Sequence, residues 1–347
     1  MAARPIRTAV LGFGVSGRVF HTPFIAANPD YSLDFITTAD PDRAARARQS
    51  YPDATILAKP EDVFDHADKL DLVVLGTPPG THYALAEAAI NLGLHVVVDK
   101  PFVPTSAEGE VLIAKAAEAG VVLTVFQNRR WDADFLTLKK LIEAGELGEP
   151  RTFESRFEWW KPEGFRDWKG ETDLADGGGI LFDLGSHLID QAIQLFGAVA
   201  EVHGETVRHS TNAKSDADED AFVSLLHESG VRSRLWMNGT AALPAPRFHV
   251  LGSEAAYTKW GLDRQEPELI AGALPSDTDY GLETEEHWGT LGVPEQHSTV
   301  PAERGAYPEF YRLLAGCLAG DGPVPVDPSE SLNVLKVIEE VHAQTRK

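Results

Sequence analysis

The chain holds a single cysteine, Cys317, among 347 residues, so no disulfide can form within it. Its apolar setting, Leu-Leu-Ala-Gly-Cys-Leu, reads as a core thiol rather than a nucleophile. No run of about 18 apolar residues is present, which leaves no transmembrane helix to expect. The opening Met-Ala-Ala-Arg-Pro-Ile-Arg lacks the apolar core of a signal peptide. Positive charge is also scarce: 31 Lys and Arg face 53 Asp and Glu, a net charge of −22. A nucleic-acid partner would need clustered cations, so none is expected, nor is a membrane. The acidic runs Asp216–Asp220 and Glu283–Glu286 read as solvated edges. No repeat or low-complexity linker is visible. These absences predict a globular protein of the reducing cytoplasm, with room for two domains.

What is present begins with alternation. The apolar run Thr8–Leu11 ends in Gly12, Phe13, Gly14, Val15, Ser16 and Gly17, a G-x-G-x-x-G placed between a strand and a helix. There Gly12 makes a tight turn, Gly14 lets backbone approach a pyrophosphate, and Gly17 lets helix pack on strand. N–H groups at the helix start would face the phosphates. Pro23 should kink or restart that helix. A second strand from Ser32 ends at Asp40, 23 residues after Gly17 and near the spacing of about 20 for a ribose-binding carboxylate. The competing reading makes Asp40-Pro41-Asp42 a turn and helix cap. Asp71–Gly76 and His95–Val98 are continuous apolar strands of the kind a parallel sheet buries. The first opens into Thr77, Pro78 and His82, the second into Asp99-Lys100-Pro101. Another helix (Glu108–Glu118) and strand (Val121–Phe126) complete the pattern. It predicts a doubly wound parallel sheet with its ligand beyond the strands' carboxyl ends, where Asp40, Thr77 and Lys100 would lie. Lys100 could equally be a solvated surface lysine.

After about Asn128 the pattern changes. A helix over Phe135–Gly145 is followed by period-two alternation in Arg151–Trp159. Strand-like runs return at Val199–Val207, Ala221–His227, Val231–Met237, Arg247–Leu251 and Ala255–Trp260, and helical ones at Phe310–Leu318 and Ser331–Arg346. Consecutive strands with few helices predict an α+β domain on an open, mostly antiparallel sheet. The division is therefore residues 1–128 and 129–347. Helices are too few to cover both sheet faces, and Phe222, Leu226 and Trp236 would line the uncovered one, so a homo-oligomer with two-fold sheet-to-sheet contact is expected.

Between those strands stands Gly177–Gly179 followed by Asp183, His187 and Asp190. If a helix starts at the glycines, Asp183 and His187 share a face one turn apart, while Leu181, Leu184, Leu188 and Leu195 occupy another arc. A neutral imidazole beside a carboxylate suits proton transfer. The same pair could be a satisfied, partly buried contact. No third or fourth ligand is evident, so no metal is expected. Phe157, Trp159, Trp160, Phe165 and Trp168 precede the glycines together with Lys161 and Arg166. They suit either a polyol or sugar site or sheet packing.

Taken in order, Gly12–Gly17, Asp99-Lys100-Pro101 and Gly179 through Asp183, His187 and Asp190 resemble the Gfo/Idh/MocA oxidoreductase family over nearly the whole chain. Asp99 departs from the family's Glu-Lys-Pro by one methylene. Phe20-His21-Thr-Pro-Phe, Asn128–Asp132 and Gly261–Glu266 further resemble the branch that contains scyllo-inositol dehydrogenases. The resemblance implies a nicotinamide cofactor, NAD or alternatively NADP, held by Gly12–Gly17, Asp40, Arg43, Thr77, Pro78, His82, Asp99 and Lys100. Asp40 favours NAD, whereas Arg43 and Arg46 could clamp a 2′-phosphate. It implies hydride transfer at a secondary alcohol or ketone of a cyclic polyol or sugar. His187 would be the base, Lys100 a donor to the reacting oxygen, and Asp183 the group that orients His187 or holds a neighbouring hydroxyl. Asn128, Trp131 and Trp159 would line the substrate. Family members pair through their sheets as dimers or tetramers. A non-catalytic cofactor-binding regulator, or a glycosidase that uses NAD transiently, are the alternatives on the same fold; a regulator would be expected to lack Lys100, Asp183 or His187.

Overall fold

The computed structural model describes residues 4–163, 168–210 and 214–345, and only the backbone of Trp168 and Lys169. Phe165 and Arg166 lie outside the described residues. The chain divides into two compact units. One comprises Met1–Gln127, Glu266–Tyr280 and Pro308–Leu332; the other comprises Asn128–Gln265, Gly281–Tyr307 and Asn333–Lys347. Later segments thus return to the first unit.

The first unit is built on six parallel strands: β1 (Ile6–Leu11), β2 (Tyr31–Thr37), β3 (Thr55–Leu57), β4 (Leu72–Leu75), β5 (His95–Asp99) and β6 (Leu123–Phe126). Their order is β3-β2-β1-β4-β5-β6. The order reverses direction between β1 and β4, the switch point where doubly wound sheets bind ligands. β4 and the Val96–Val98 stretch of β5 are fully buried, as strands covered on both faces must be. Because all strands run one way, Gly12, Asp40, Thr77 and Lys100 follow strand ends at one edge of the sheet. Helix Ser106–Ala119 starts in a capping box between Thr105 and Glu108. The first helix does restart near Pro23: a π-helical stretch, Ser16–His21, gives way to an α-helix over Thr22–Ala27.

The second unit carries eight strands: β7 (Pro150–Glu158), β8 (Val199–Val207), β9 (Asp220–His227), β10 (Arg232–Asn238), β11 (Phe248–Gly252), β12 (Ala256–Lys259), β13 (Gly289–Val293) and β14 (Gln296–Val300). They lie in the order β14-β13-β12-β11-β7-β10-β9-β8, antiparallel except for β7 beside β10. Helix Ser186–Phe196 packs on β7 and β10, and Val341 of helix Pro328–Thr345 packs on β8 so closely that a Cβ on Gly204 would lie 2.4 Å from it. On the opposite face Trp236 sits across from Phe222 in register, their rings 5.1 Å apart, with the Arg156 guanidinium 3.9 Å above Trp236. β3, β13 and β14 escape sequence reading because they are short or, in β14, polar and exposed throughout most of their length.

Candidate active site

In the first unit the glycine turn has the shape a pyrophosphate requires. Gly12 has φ +94°, and a Cβ there would lie 2.6 Å from the carbonyl oxygen of Gly76. A Cβ on Gly17 would lie 1.9 Å from the oxygen of Gly12. At Gly14, by contrast, the only atom of the described residues within 4 Å of such a Cβ, its chain neighbours aside, is Nη1 of Arg43, at 3.7 Å. The turn is closed against its own sheet at two glycines and open at the third, with a guanidinium beside the opening. That arrangement fits the phosphates of a dinucleotide.

The neighbours divide their duties. The N–H of Gly12 already donates to Thr37 Oγ1 at 2.9 Å. The Phe13 side chain packs against Ile36 and Ala47 in the core, so only its backbone faces the turn. Val15 is exposed. Asp40 caps the helix Pro41–Ser50, its Oδ1 accepting from Arg43 N at 2.9 Å, and Oδ2 lies 4.0 Å from Arg43 Nε. One oxygen is therefore committed to the cap, and Oδ2 is the one that could accept from a ribose hydroxyl. Thr77 Oγ1 lies 2.7 Å from Thr81 Oγ1, whose hydroxyl donates to Pro78 O. His82 is fully buried, with Nε2 2.9 Å from Thr77 O and Nδ1 3.1 Å from both Pro101 O and Phe102 O. Its ring is thus committed to tying the β4 turn to the segment after Lys100.

Asp99, at the end of β5, is largely buried. Oδ1 accepts the backbone N–H of Lys100 at 2.7 Å, and Oδ2 lies 3.7 Å from Nε2 of the buried His21. Burial opposes its charge, but His21, Lys100 and the Ser16 hydroxyl outweigh burial and hold its carboxyl below the usual range.

In the second unit Asp183 and His187 are both buried, but not on one regular helix. Leu181–Gly185 forms a π-helical turn, and the α-helix starts only at Ser186. A residue inserted into helical register is common at functional sites and changes which side chains share a face. Nor does the helix split into a buried arc and an offered arc, since every residue from Ile180 to Ala192 is buried. Its polar groups face protein neighbours: Asp190 takes the Arg130 fork at 2.5 and 2.8 Å, and Gln191 Nε2 donates to Arg129 O at 2.8 Å. Those bonds fix the turn Asn128–Trp131 against the helix of His187. Phe157 meets His187 edge-on at 6.3 Å and Trp159 at 6.0 Å, so the aromatic run does reach the imidazole. Trp160 is exposed.

The acidic runs correct the sequence reading in part: Asp216, Glu285 and Glu286 are exposed as a solvated edge would be, but the other acids are not. Asp218 and Glu219 are buried, because Asp218 accepts from Leu181 N at 2.8 Å and Glu219 from His209 N and Ser210 N. Glu283 is buried against Lys259 at 3.0 Å. These carboxylates serve backbone donors and one buried ammonium rather than water. Sequence reasoning also missed a buried network in which Arg247 meets Asp134 at 3.2 Å, Ser155 at 2.5 Å and Gln191 at 2.7 Å. Tyr307 donates to Asp132 at 2.7 Å, and Asp263 accepts from Ala133 N at 2.7 Å. A charged Arg247 directly before the apolar strand Phe248–Val250 was the available signal, since a buried guanidinium requires acids and Asp132 and Asp134 lie close together in the chain. Among the described residues no group of three His, Cys, Asp or Glu is placed to hold a metal ion. Likewise no helix is long and apolar enough to cross a membrane.

Comparison with known proteins agrees with this geometry. Residues 6–127 match the model of the oxidoreductase family with an NAD-binding Rossmann fold, and residues 135–258 match the GFO/IDH/MocA C-terminal domain. The chain is 34% identical over 338 residues to scyllo-inositol 2-dehydrogenase (NADP(+)) IolW of Bacillus subtilis, covering 96% of this chain and 92% of that one. It is 38% identical over 341 residues to the uncharacterized oxidoreductase YdgJ of Escherichia coli, covering 96% and 94%. The solved structure of yvaA from Bacillus subtilis superposes with a TM-score of 0.90 at 33% identity, covering 99% of this chain and 96% of that one. A dinucleotide-shaped turn on a doubly wound sheet, an open antiparallel sheet carrying the Asp–His segment, and these likenesses make the chain a member of the Gfo/Idh/MocA family of NAD(P)-dependent oxidoreductases.

Proposed function

We propose that the enzyme moves a hydride between its nicotinamide cofactor and a secondary alcohol or ketone carbon of a cyclic polyol or sugar, inositol-like in shape. The observation that carries this reading is the line Trp159, Phe157, His187: a half-buried indole joined through a buried phenyl ring to a buried imidazole. Ring-shaped polyhydroxylated substrates are held by apolar faces and a few placed polar groups. The inositol dehydrogenase among the relatives supports it.

The roles follow from chemistry. Gly12–Gly17, Asp40, Arg43, Thr77 and Pro78 would hold the cofactor, which supplies the hydride acceptor or donor when bound. His187 takes the hydroxyl proton as the alcohol is oxidised, and returns it in the reverse direction. Lys100 donates to the same oxygen and stabilises its developing charge. Asp183 orients His187 or a neighbouring hydroxyl, and Asn128 and Trp131 line the substrate. The half-buried outer sheet face around Phe222 and Trp236 is proposed to pair with a second copy, and the enzyme to work in the cytoplasm. An initial-rate screen of inositols, pentoses and hexoses with NAD and NADP tests the reading. Reduction of cofactor by at least one cyclic polyol or sugar supports it. Glycosidic cleavage without net cofactor reduction, or no turnover with any polyol or sugar, overturns it.

A further inference from the structure

The motif Phe20-His21-Thr-Pro-Phe is not absorbed by the roles above, yet it places a fully buried imidazole in the first unit. His21 closes the π-helical stretch that follows the glycine turn. Nδ1 lies 2.7 Å from the hydroxyl of Tyr311, on helix Pro308–Leu318. The ring rests on Phe126, centroids 4.5 Å apart. Nε2 faces Oδ2 of Asp99 at 3.7 Å, within ion-pair range and beyond a direct hydrogen bond. Tyr31 donates its own hydroxyl to Tyr311 O at 2.7 Å, so the tyrosine is tied to β2 as well.

The Asp99 carboxylate facing Nε2 favours the ring proton on that nitrogen, which leaves Nδ1 to accept the O–H of Tyr311, whose phenol burial keeps protonated. The other oxygen of Asp99 accepts the N–H of Lys100. A line of contacts therefore runs from Tyr311 to His21, across 3.7 Å to Asp99, and on to the backbone N–H of Lys100. The short arm of Asp99 suits it, because one carboxylate serves both its own strand end and His21.

We propose that His21 is a positioning residue for Lys100, acting through Asp99, with Tyr311 bonded to its Nδ1. The proposal rests on the role given to Lys100 above. The groups with charge or titration behaviour around Asp99 are His21, Lys100, His82 and Tyr311, with the Ser16 hydroxyl beside them. Loss of the imidazole removes from beside Oδ2 a group that holds the Asp99 carboxyl down, so the carboxyl should titrate higher without it.

The test compares His21→Phe, His21→Gln and Tyr311→Phe in the full-length enzyme. His21→Phe should lower kcat about tenfold with substrate KM and cofactor Kd changed less than twofold, the scale of one misplaced catalytic group. The acid limb of its kcat profile should move up by about one pH unit. His21→Gln, whose amide N–H reaches toward the place of Nε2, should restore most of both. Tyr311→Phe should give a smaller loss of the same pattern, and it stands in if the Phe variant fails to fold. The carboxyl carbon of Asp99, followed by NMR without substrate, should titrate higher in His21→Phe than in wild type. That measurement stays informative even if no substrate is turned over, an outcome that counts against the functional reading alone. Unchanged Asp99 titration and unchanged kcat profile in folded His21→Phe and Tyr311→Phe would overturn the proposal.

Discussion

Nε2 of His342 lies 3.1 Å from Oδ2 of Asp218, while Oδ1 of that carboxylate accepts the N–H of Leu181 at 2.8 Å. Asp218 therefore joins the C-terminal helix to the first residue of the turn that carries Asp183. Ile180 N bonds to the Asp218 backbone oxygen at 3.0 Å, so two successive N–H groups at that turn end on one residue. Removing one partner of a buried pair leaves the other desolvated, at a cost of roughly 3 kcal/mol. Asp218→Ala should lose about that much stability in urea unfolding and lower kcat through a misplaced Asp183. Wild-type stability in this variant would show that water can replace the carboxylate.

Lys100→Ala and His187→Ala should each lower kcat by about 10²-fold or more, the scale of charge-stabilising and acid–base groups. Cofactor binding, measured by fluorescence titration, should persist in His187→Ala. Near-wild-type turnover in either variant would remove that residue from the chemistry.

Cofactor choice should turn on Asp40 and Arg43. The carboxylate of Asp40 disfavours a 2′-phosphate, whereas the Arg43 guanidinium beside Gly14 favours one. Asp40→Ser keeps a helix cap and should cost little stability. It should raise kcat/KM with NADP relative to NAD, and Arg43→Ala should lower that ratio about tenfold. If wild type prefers NADP tenfold and Asp40→Ser changes nothing, Arg43 governs the choice alone.

Stability should fall between mildly acidic and neutral pH because of Asp263. Burial first, and then the nearby Asp134, push its carboxyl up to about 7, against the N–H groups of Ala133 and Gln265 and the charge of Arg129. A raised carboxyl pKa favours folding below the unfolded value near 4, and that contribution is lost as pH rises through about 7. Thermal melts from pH 4 to 8 should show this decline, and Asp263→Asn should flatten it. A slope unaffected by the substitution would place the titration elsewhere.

The outer face of the eight-stranded sheet should bind a second copy. Light scattering at micromolar concentration should return a mass at least twice 37.8 kDa, and Trp236→Glu should reduce it by placing a charge in an apolar contact. A mass near one chain would mean that the Arg156–Trp236 stack already suffices in water.

The sequence alone determined what depends on local pattern. The strands Leu72–Leu75 and His95–Asp99 were legible because a sheet covered on both faces needs unbroken apolar runs. Gly12–Gly17 was legible because only glycine permits the close approaches seen at Gly12 and Gly17. Period-two alternation likewise exposed β7, and Pro23 the restart of the first helix. Tertiary structure decided what depends on partners far along the chain. Asp218 reads as a solvated acid until Leu181 and His342 are brought to it, and Arg247 as an isolated charge until Asp134 and Gln191 arrive. The π-helical turn at Leu181–Gly185 has no signature in residue type, because it answers to packing: a Cβ on Gly185 would sit 2.7 Å from Leu181 Cδ1 and 3.5 Å from Met237 Cε. Asp99 shows the division in one residue. Its place after a buried strand was written in the chain, but its contact with His21 rests on a helix more than 200 residues later, where Tyr311 bonds to the imidazole. Burial makes such polar partnerships obligatory, and only the folded chain determines which groups are buried together.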